Sequence, residues 1–135
     1  MLDTCIVLDM LYKPNKFDKK VFEMLDDYGC DLYVSFETLR ELIVLFNNKK
    51  IRAKQWKSAK DVLNTVINNL GIKILPLREN VAFVYSQLQL NEADNHYDPS
   101  DHIIISQAIA ERIPIISSDL KFPFYRSQGL DLIEC

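Results

Sequence analysis

Residues 98–119 read DPSDHIIISQAIAERIPIISSD, and this segment gives the clearest indication of the fold class. Asp98 suits a helix N-cap and Pro99 suits the first helical position, so together they predict the start of a helix. The apolar segment Ile103–Ala110 predicts the buried body of that helix. Ile113–Ser117 then predicts a short buried strand that ends at a polar turn. A helix followed by a buried strand is typical of an α/β domain with a parallel sheet.

The rest of the chain repeats this alternation. Further strands are predicted over Leu2–Leu8, Leu32–Ser35, Ile72–Leu75 and Leu130–Ile133, and further helices over Lys16–Tyr28, Phe36–Phe46, Ala53–Leu70 and Arg78–Leu90. Phe22 and Phe83 are among the expected core residues of these helices. We therefore predict one α/β domain over residues 1–135, with a central, mostly parallel sheet of about four or five strands flanked by helices on both faces.

Composition narrows the class of protein. The content of 48% hydrophobic and 26% charged residues is that of an ordinary globular protein. No apolar run is long enough to span a membrane and no signal-peptide pattern is present, so we expect a cytoplasmic protein without a membrane partner. The three cysteines form no CxxC pair, which argues against disulfides and structural zinc. The net charge of −3 gives no general attraction to nucleic acid, so such binding needs a local basic patch or a bridging metal.

Four acidic residues lie where an apolar segment meets a turn or where a helix begins: Asp3, Glu41, Asp101 and Asp119. Strand ends and helix starts of an α/β domain converge on one edge of the sheet, so these carboxylates can meet there. A cluster of like charges is costly without a cation, and oxygen-only ligands favour Mg²⁺ or Mn²⁺. The pattern therefore predicts one shared metal site.

Each acid taken alone also has a structural explanation. Asp3 could be a turn residue near a frayed terminus. Asp101 lies in a first helical turn, where the helix dipole favours an acid, and Asp119 could cap a short helix. Glu37 lies one helical turn before Glu41, and both border the apolar side of their helix, so helical geometry does not choose between them.

Four short segments complete the pattern: Leu2-Asp3-Thr4, Ser35 with Glu41 six residues later, Asp98-Pro99-Ser100-Asp101 and Ser117-Ser118-Asp119. Together they resemble the PIN-domain ribonucleases, in particular the VapC-type toxins of bacterial toxin–antitoxin pairs. The similarity runs over nearly the whole chain. Its most specific element is the ordered set of the Asp-Pro-x-Asp helix start, the apolar segment, Ile-Pro-Ile-Ile and Ser-x-Asp. The chain departs from the family at His102, where many of these toxins carry Arg, and we expect an exposed first-turn residue there.

The resemblance implies roles for individual residues. The implied metal-binding and catalytic acids are Asp3, Glu41, Asp101 and Asp119. The register from Ser35 selects Glu41 over Glu37. Ser117 stands at a position where the family usually has Thr or Ser, whose hydroxyl holds an acid or a bound water, and Thr4 would act likewise beside the first acid.

The function implied by the resemblance is that of an endoribonuclease toxin that uses Mg²⁺, or Mn²⁺ in its place, to hydrolyse RNA phosphodiester bonds with an activated water. An RNA substrate, a cognate antitoxin and a homodimer are implied with it. Two alternatives stay open: a catalytically inactive PIN-fold binding module and a housekeeping RNA-processing nuclease. A phosphoacceptor signalling receiver is disfavoured, because it needs a Lys at the end of its last strand that the turn Ser117-Ser118-Asp119 does not supply.

The segment Lys49–Lys60 is basic, with no acid before Asp61. Its Lys50, Lys54 and Lys57 are predicted to share one helix face and to contact RNA phosphates. The alternative is a solvated helix surface opposite an apolar stripe that contains Trp56, which we expect in the core or at a dimer interface.

Overall fold

The computed structural model describes residues 1–135 and alternates short parallel strands with helices. The strands are β1 (Tyr33–Ser35), β2 (Lys73–Leu75), β3 (Ile115–Ser117) and β4 (Leu132–Glu134). The α-helices are α1 (Thr4–Tyr12), α2 (Lys19–Asp26), α3 (Phe36–Asn47), α4 (Ala59–Asn64), α5 (Glu79–Gln87) and α6 (Pro99–Glu111). Short 3₁₀ or π turns cover Pro14–Lys16, Thr65–Asn69 and Phe122–Gln128.

Leu2 joins the sheet at its centre. It forms parallel bridges to Val34 of β1 on one side and to Ile116 of β3 on the other. The N–H of Leu2 donates to the carbonyl of Tyr33 at 2.7 Å, and the N–H of Asp3 donates to that of Ile116 at 3.1 Å. Since β1 pairs with β2 and β3 with β4, both in parallel, the order is β2, β1, Leu2, β3, β4. The predicted parallel sheet of about four or five strands is confirmed.

Hydrophobic cores lie on both faces of this sheet. Adjacent residues of a strand point to opposite faces. Accordingly, Met1 and Ile115 join a core with residues of α6, whereas Leu2 and Ile116 join a core with residues of α1, α3 and α4. This arrangement confirms the prediction of helices on both faces. None of the helices combines the length and the apolarity that crossing a bilayer requires.

The strand predicted over Leu2–Leu8 is wrong except at its first residue. The chain leaves the sheet at Asp3, whose side chain accepts from the N–H of Thr4 and caps α1. Ile6 and Val7 are fully buried, but on a helix. A short run of buried apolar residues fits a strand or a buried helix equally well. The N-cap residue Asp3 was the feature that indicated a helix.

The helix predicted over Ala53–Leu70 begins six residues late. The carboxylate of Asp61 accepts from the backbone N–H groups of Lys57 and Ser58, both at 2.8 Å, and forms a capping box with Ser58. This box fixes the start of α4 at Ala59. Lys54 and Lys57 therefore precede the helix, and the predicted shared helix face of Lys50, Lys54 and Lys57 is wrong.

Two other helices are shorter than predicted, and their aromatic residues face outward. The helix predicted over Lys16–Tyr28 is α2, which starts after Asp18 accepts from the N–H of Val21. Val21 is buried, but Phe22 is 48% exposed. Phe83 of α5 is 68% exposed, so the core positions predicted for these two phenylalanines are wrong. Trp56 is buried in the core, and its indole N–H donates to Thr65 Oγ1 at 2.8 Å.

The central position of Leu2 predicts a large effect of its truncation. Because this side chain is 0% exposed, Leu2→Ala should lower the free energy of unfolding by about 2–5 kcal/mol. The matched control is Leu120→Ala, where the side chain is 91% exposed and the change should stay within about 0.5 kcal/mol. Urea unfolding of both variants, with any tag at the exposed C-terminus, measures the difference. Equal stability of the two would mean that the N-terminal segment is frayed rather than built into the sheet.

Candidate functional site

Asp3 is held in place from several sides at the end of the central strand. Its Oδ1 accepts from the N–H of Thr4 at 2.6 Å, and its Oδ2 accepts from the hydroxyl of Ser117 at 2.6 Å. The thiol of Cys5 also donates to Oδ2, at 3.0 Å. The carboxyl is buried, and burial raises its pKa although these hydrogen bonds oppose the rise. The hydroxyl of Ser117 thus contacts the carboxylate of Asp3.

Glu41 reaches the same place from the middle of α3. The hydroxyl of Thr4 donates to Glu41 Oε2 at 2.5 Å, which links the first helix to the third. Burial raises the pKa of Glu41 to about 7, and the charges of Asp101 and Asp3 add to the rise. The hydroxyl of Thr4 thus contacts Glu41, whereas its backbone N–H contacts Asp3.

Glu37 lies one turn earlier on α3 and has a different environment. Its carboxylate forms an ion pair with Arg40 and accepts from the hydroxyl of Ser100 at 2.7 Å. The adjacent Arg40 guanidinium holds the pKa of Glu37 below its ordinary value, with Ser100 adding to the effect. The charge of Glu37 is therefore neutralised within the protein, whereas that of Glu41 is not, and this difference favours Glu41 as the free ligand.

Asp101 and Asp119 approach the site from α6 and from the end of β3. Burial raises the pKa of Asp101 to about 7, and the charges of Asp3, Asp98 and Asp119 contribute. Asp119 Oδ1 accepts from the N–H of Lys121 at 2.8 Å, so Asp119 also caps the turn that follows it. Its structural and its predicted metal-binding roles are compatible, because one carboxylate oxygen remains for other contacts.

Hydrogen bonds and short distances bring the four predicted acids to one edge of the sheet. Thr4 contacts both Asp3 and Glu41. Ser117 contacts Asp3 and the N–H of Asp119, and Asp119 and Asp101 offer ligand atoms within 4.8 Å of each other. No Lys or Arg forms an ion pair with any of them. Like charges that are partly desolvated and lack a basic partner are costly. A divalent cation fits this donor set, because oxygen ligands from several carboxylates are what Mg²⁺ and Mn²⁺ prefer.

Sequence reasoning missed one residue of this site, His96. Its Nε2 lies 2.9 Å from Asp101 Oδ2, and His96, Asp101 and Asp119 each offer one ligand atom within 4.8 Å of the others. His96 lies between α5 and α6, outside any helix or strand, and its spacing of five residues before Asp101 matches no helical or strand period. The pattern therefore carried no signal for it.

His102 is buried, so the prediction of an exposed first-turn residue is wrong. Its ring packs against His96 with a centroid distance of 4.9 Å, and its Nε2 lies 3.0 Å from the carbonyl oxygen of His96. Burial lowers the pKa of both histidines, which favours neutral rings. His102 therefore supports the loop that carries His96.

A basic groove with a volume of about 720 Å³ adjoins the acids. Its charged wall contains Lys13, Lys16, Lys50 and Arg52 together with Asp9. Tyr12 joins α1 to the segment that contains Arg52. Its hydroxyl forms hydrogen bonds with the backbone N–H and the backbone carbonyl of Arg52, both at 2.9 Å. Cys5 also lines the groove and donates to Asp3, so the groove extends to the acid cluster. Of the three predicted RNA-binding lysines, only Lys50 lines this groove.

Comparisons with known proteins agree with the architecture. Solved structures of similar fold include VapBC2 from Rickettsia felis bound to a DNA fragment from its promoter, with 22% identity, a TM-score of 0.72 and coverage of 99% of this chain and 96% of that chain. VapBC-1 from nontypeable Haemophilus influenzae has 20% identity and a TM-score of 0.72, and the match covers 99% of this chain and 96% of that chain. FitAcB from Neisseria gonorrhoeae has 22% identity and a TM-score of 0.65, and the match covers 98% of this chain and 94% of that chain.

The search of curated proteins found no significant match. The family model described as "PIN domain" matches residues 1–126, which is most of the chain. The ordered motifs and the parallel fold agree with this match, and the chain belongs to the PIN domain family.

Proposed function

We propose that this protein is a divalent-metal-dependent endoribonuclease and the toxin of a toxin–antitoxin pair. The observation that carries the proposal is the set of four carboxylates that lie near one another without a Lys or Arg partner, Asp3, Glu41, Asp101 and Asp119. Membership of the PIN family supports a nuclease, and the similar fold of chains from VapBC complexes supports a cognate antitoxin as partner. An RNA substrate, a homodimer and a cytoplasmic location belong to the same proposal.

The chemistry proposed is hydrolysis of a phosphodiester. Mg²⁺ or Mn²⁺, when bound, would supply a Lewis acid for the phosphoryl oxygens and would acidify water. The protein's own contribution is to hold the ligands. Ser117 and Thr4 fix the orientation of Asp3, and the hydroxyl of Thr4 fixes that of Glu41. No side-chain nucleophile is required, and the thiol of Cys5 is unsuited to that role because burial raises its pKa to about 11.

The basic groove supplies the path for RNA in this proposal. Its lysines and arginine can contact phosphates, and the aromatic ring of Tyr12 offers a surface on which a base can stack. The contact of Cys5 with Asp3 places this wall beside the acids. The overall charge of −3 does not oppose such binding, because the attraction is local.

Asp101→Asn tests the metal-dependent reaction. The change should lower the rate of RNA cleavage by more than about 100-fold, beyond the loss typical of an outer-shell change, because a charged ligand is removed. The control is Asp131→Asn, an exposed acid at the opposite edge of the sheet. Cleavage of a labelled RNA oligonucleotide with Mg²⁺, Mn²⁺ or EDTA measures the rate, and circular dichroism checks the fold. Induced expression of both variants should arrest growth only with Asp131→Asn.

Cleavage that persists in EDTA, or full activity of Asp101→Asn, would remove the metal-nuclease proposal. A wild-type protein that binds the cation but cleaves no RNA would favour the inactive binding module instead.

The acid cluster also predicts a pH-dependent effect of metal on stability. The pKa values of Glu41 and Asp101 rise from 4.5 and 3.8 to about 7 on folding. A raised carboxyl pKa contributes stability that is present below the unfolded pKa and is lost as the pH rises through about 7. The Tm of the EDTA-treated protein should therefore fall between about pH 5.5 and about pH 8, whereas added Mn²⁺ should raise the Tm more at the higher pH.

Differential scanning fluorimetry measures both effects. Glu41→Gln should weaken the pH dependence, and the exposed control Glu92→Gln should leave it unchanged. A metal-induced rise in Tm that is the same at both pH values would contradict proton competition at these acids.

A pair of double variants tests the groove. The double variant Lys50→Gln with Arg52→Gln should raise KM for RNA and leave kcat unchanged. It should also lower the slope of log affinity against log salt concentration by about 0.7 for each phosphate that these side chains no longer neutralise. The matched control is Lys54→Gln with Lys57→Gln, which removes the same charge outside the groove. Fluorescence anisotropy over a range of salt concentrations gives the slopes. A larger effect of the control pair would favour an RNA path along Lys54 and Lys57 instead of the groove.

A further inference from the structure

We propose that His96 is a positioning residue for Asp101, and that it acts through a buried hydrogen-bond relay running from Asn91 through Tyr125 and His96 to the Asp101 carboxylate. The inference rests on the proposed function, because it assigns a task to His96 in the metal site. It concerns the chain's own side chains.

The relay is continuous. The backbone N–H of Asn91 donates to the hydroxyl oxygen of Tyr125 in a long contact of 3.4 Å. The hydroxyl of Tyr125 lies 3.0 Å from Nδ1 of His96, and Nε2 of His96 lies 2.9 Å from Oδ2 of Asp101. Both ring nitrogens therefore have a partner, and the chain of contacts ends on a carboxylate of the acid cluster.

The relay has only one consistent direction when Asp101 is ionised. An ionised carboxylate only accepts hydrogen bonds. Nε2 of His96 therefore carries the ring hydrogen and donates a hydrogen bond to Asp101. In a neutral ring Nδ1 is then an acceptor, and the hydroxyl of Tyr125 donates to it. The oxygen of Tyr125 remains free to accept from Asn91. Every donor has an acceptor in this arrangement, which is how buried polar groups avoid a large energetic cost.

The surroundings hold the ring of His96 rigidly. Asn91, His96 and Tyr125 are almost completely buried. The ring centroid of His96 lies 5.6 Å from that of Tyr125 and 6.1 Å from that of Phe122. The backbone N–H of His96 donates to the carbonyl of Asn91 at 3.0 Å, and the carbonyl of His96 is in contact with Nε2 of His102. A ring fixed on all sides fixes the carboxylate oxygen that it contacts.

The same geometry argues against His96 as a direct metal ligand. Ligation through Nε2 would require that nitrogen to give up its proton and Nδ1 to take one. Nδ1 would then donate to Tyr125, whose oxygen already accepts from Asn91, and the hydroxyl proton of Tyr125 would lose its acceptor. An unsatisfied buried donor costs about 1–3 kcal/mol. An outer-shell partner of a ligating carboxylate is the role that satisfies every group.

Three variants test the relay through metal affinity rather than activity. His96→Leu removes the donor, His96→Gln retains an amide N–H at about the position of Nε2, and Tyr125→Phe removes only one hydroxyl. Mn²⁺ affinity is measured by electron paramagnetic resonance of the free ion, and urea unfolding of each variant checks that it folds. His96→Leu should weaken Mn²⁺ binding by about 10- to 100-fold, Tyr125→Phe by less, and His96→Gln should recover most of the loss.

Two spectroscopic signatures separate positioning from ligation. In the metal-free wild type, ¹⁵N chemical shifts should show that His96 is the neutral tautomer protonated at Nε2. In the Mn²⁺ complex, pulsed electron paramagnetic resonance should show no coupling between the Mn²⁺ ion and the ¹⁵N nuclei of the His96 ring. A direct coupling, wild-type Mn²⁺ affinity in His96→Leu, or the same loss in His96→Gln as in His96→Leu would overturn the inference, and so would a wild type that binds no Mn²⁺.

Failure of this inference and failure of the proposed function give different results. If the wild type binds Mn²⁺, loses affinity in His96→Leu and recovers it in His96→Gln but cleaves no RNA, the relay stands and the nuclease does not. If RNA is cleaved and His96→Leu changes neither Mn²⁺ affinity nor rate, the nuclease stands and the relay does not. If His96→Leu fails to fold, the Mn²⁺ affinity of Tyr125→Phe tests the relay instead, because removal of one hydroxyl leaves the packing of the ring intact.

Discussion

The backbone pairing of Leu2 on both sides holds this structure together. The remaining strands form two separate parallel pairs, and only the bridges of Leu2 to Val34 and to Ile116 join them into one sheet. The same segment separates the two cores, because Met1 and Leu2 point to opposite faces. The next residue, Asp3, therefore has a fixed position at the carboxyl edge of the sheet, where α1 begins. The first acid of the site is positioned by the strand that the whole sheet depends on.

The electrostatics of the site follow from which charges have partners. Glu37 and Glu41 lie on one helix, one turn apart, yet Arg40 neutralises the first and only a hydroxyl contacts the second. Burial then raises the pKa of Glu41 and of Asp101, and the neighbouring acids add to the effect. The fold thus maintains a group of carboxylates that are unfavourable together without a cation. Groups of this kind are typical of functional sites rather than of structural ion-pair networks.

Much of the fold could be predicted because its signals are local. The N-cap at Asp98, the proline after it and the apolar body of α6 are all present as predicted. The errors arose where two structures share one pattern. The apolar run after Asp3 suits a buried helix as well as a strand, and the Asp61 capping box shortened a helix whose periodicity extended further. Phe22 and Phe83 fit a helical stripe but are 48% and 68% exposed, because a helical period does not determine how far neighbouring elements cover a side chain.

The alternation of helices and strands and the α/β class could be read from the sequence, because caps, turns and hydrophobic periods act over a few residues. The set of four acids was a prediction from the resemblance to a family, because each acid alone also had a structural explanation. Only the tertiary structure decided which carboxylates lack a partner, and it showed that Lys50 lines a groove with Lys13, Lys16 and Arg52. It also brought His96, Tyr125 and Asp101 into one chain of hydrogen bonds. These contacts join residues far apart in the chain or on irregular segments, and no period along the chain encodes them.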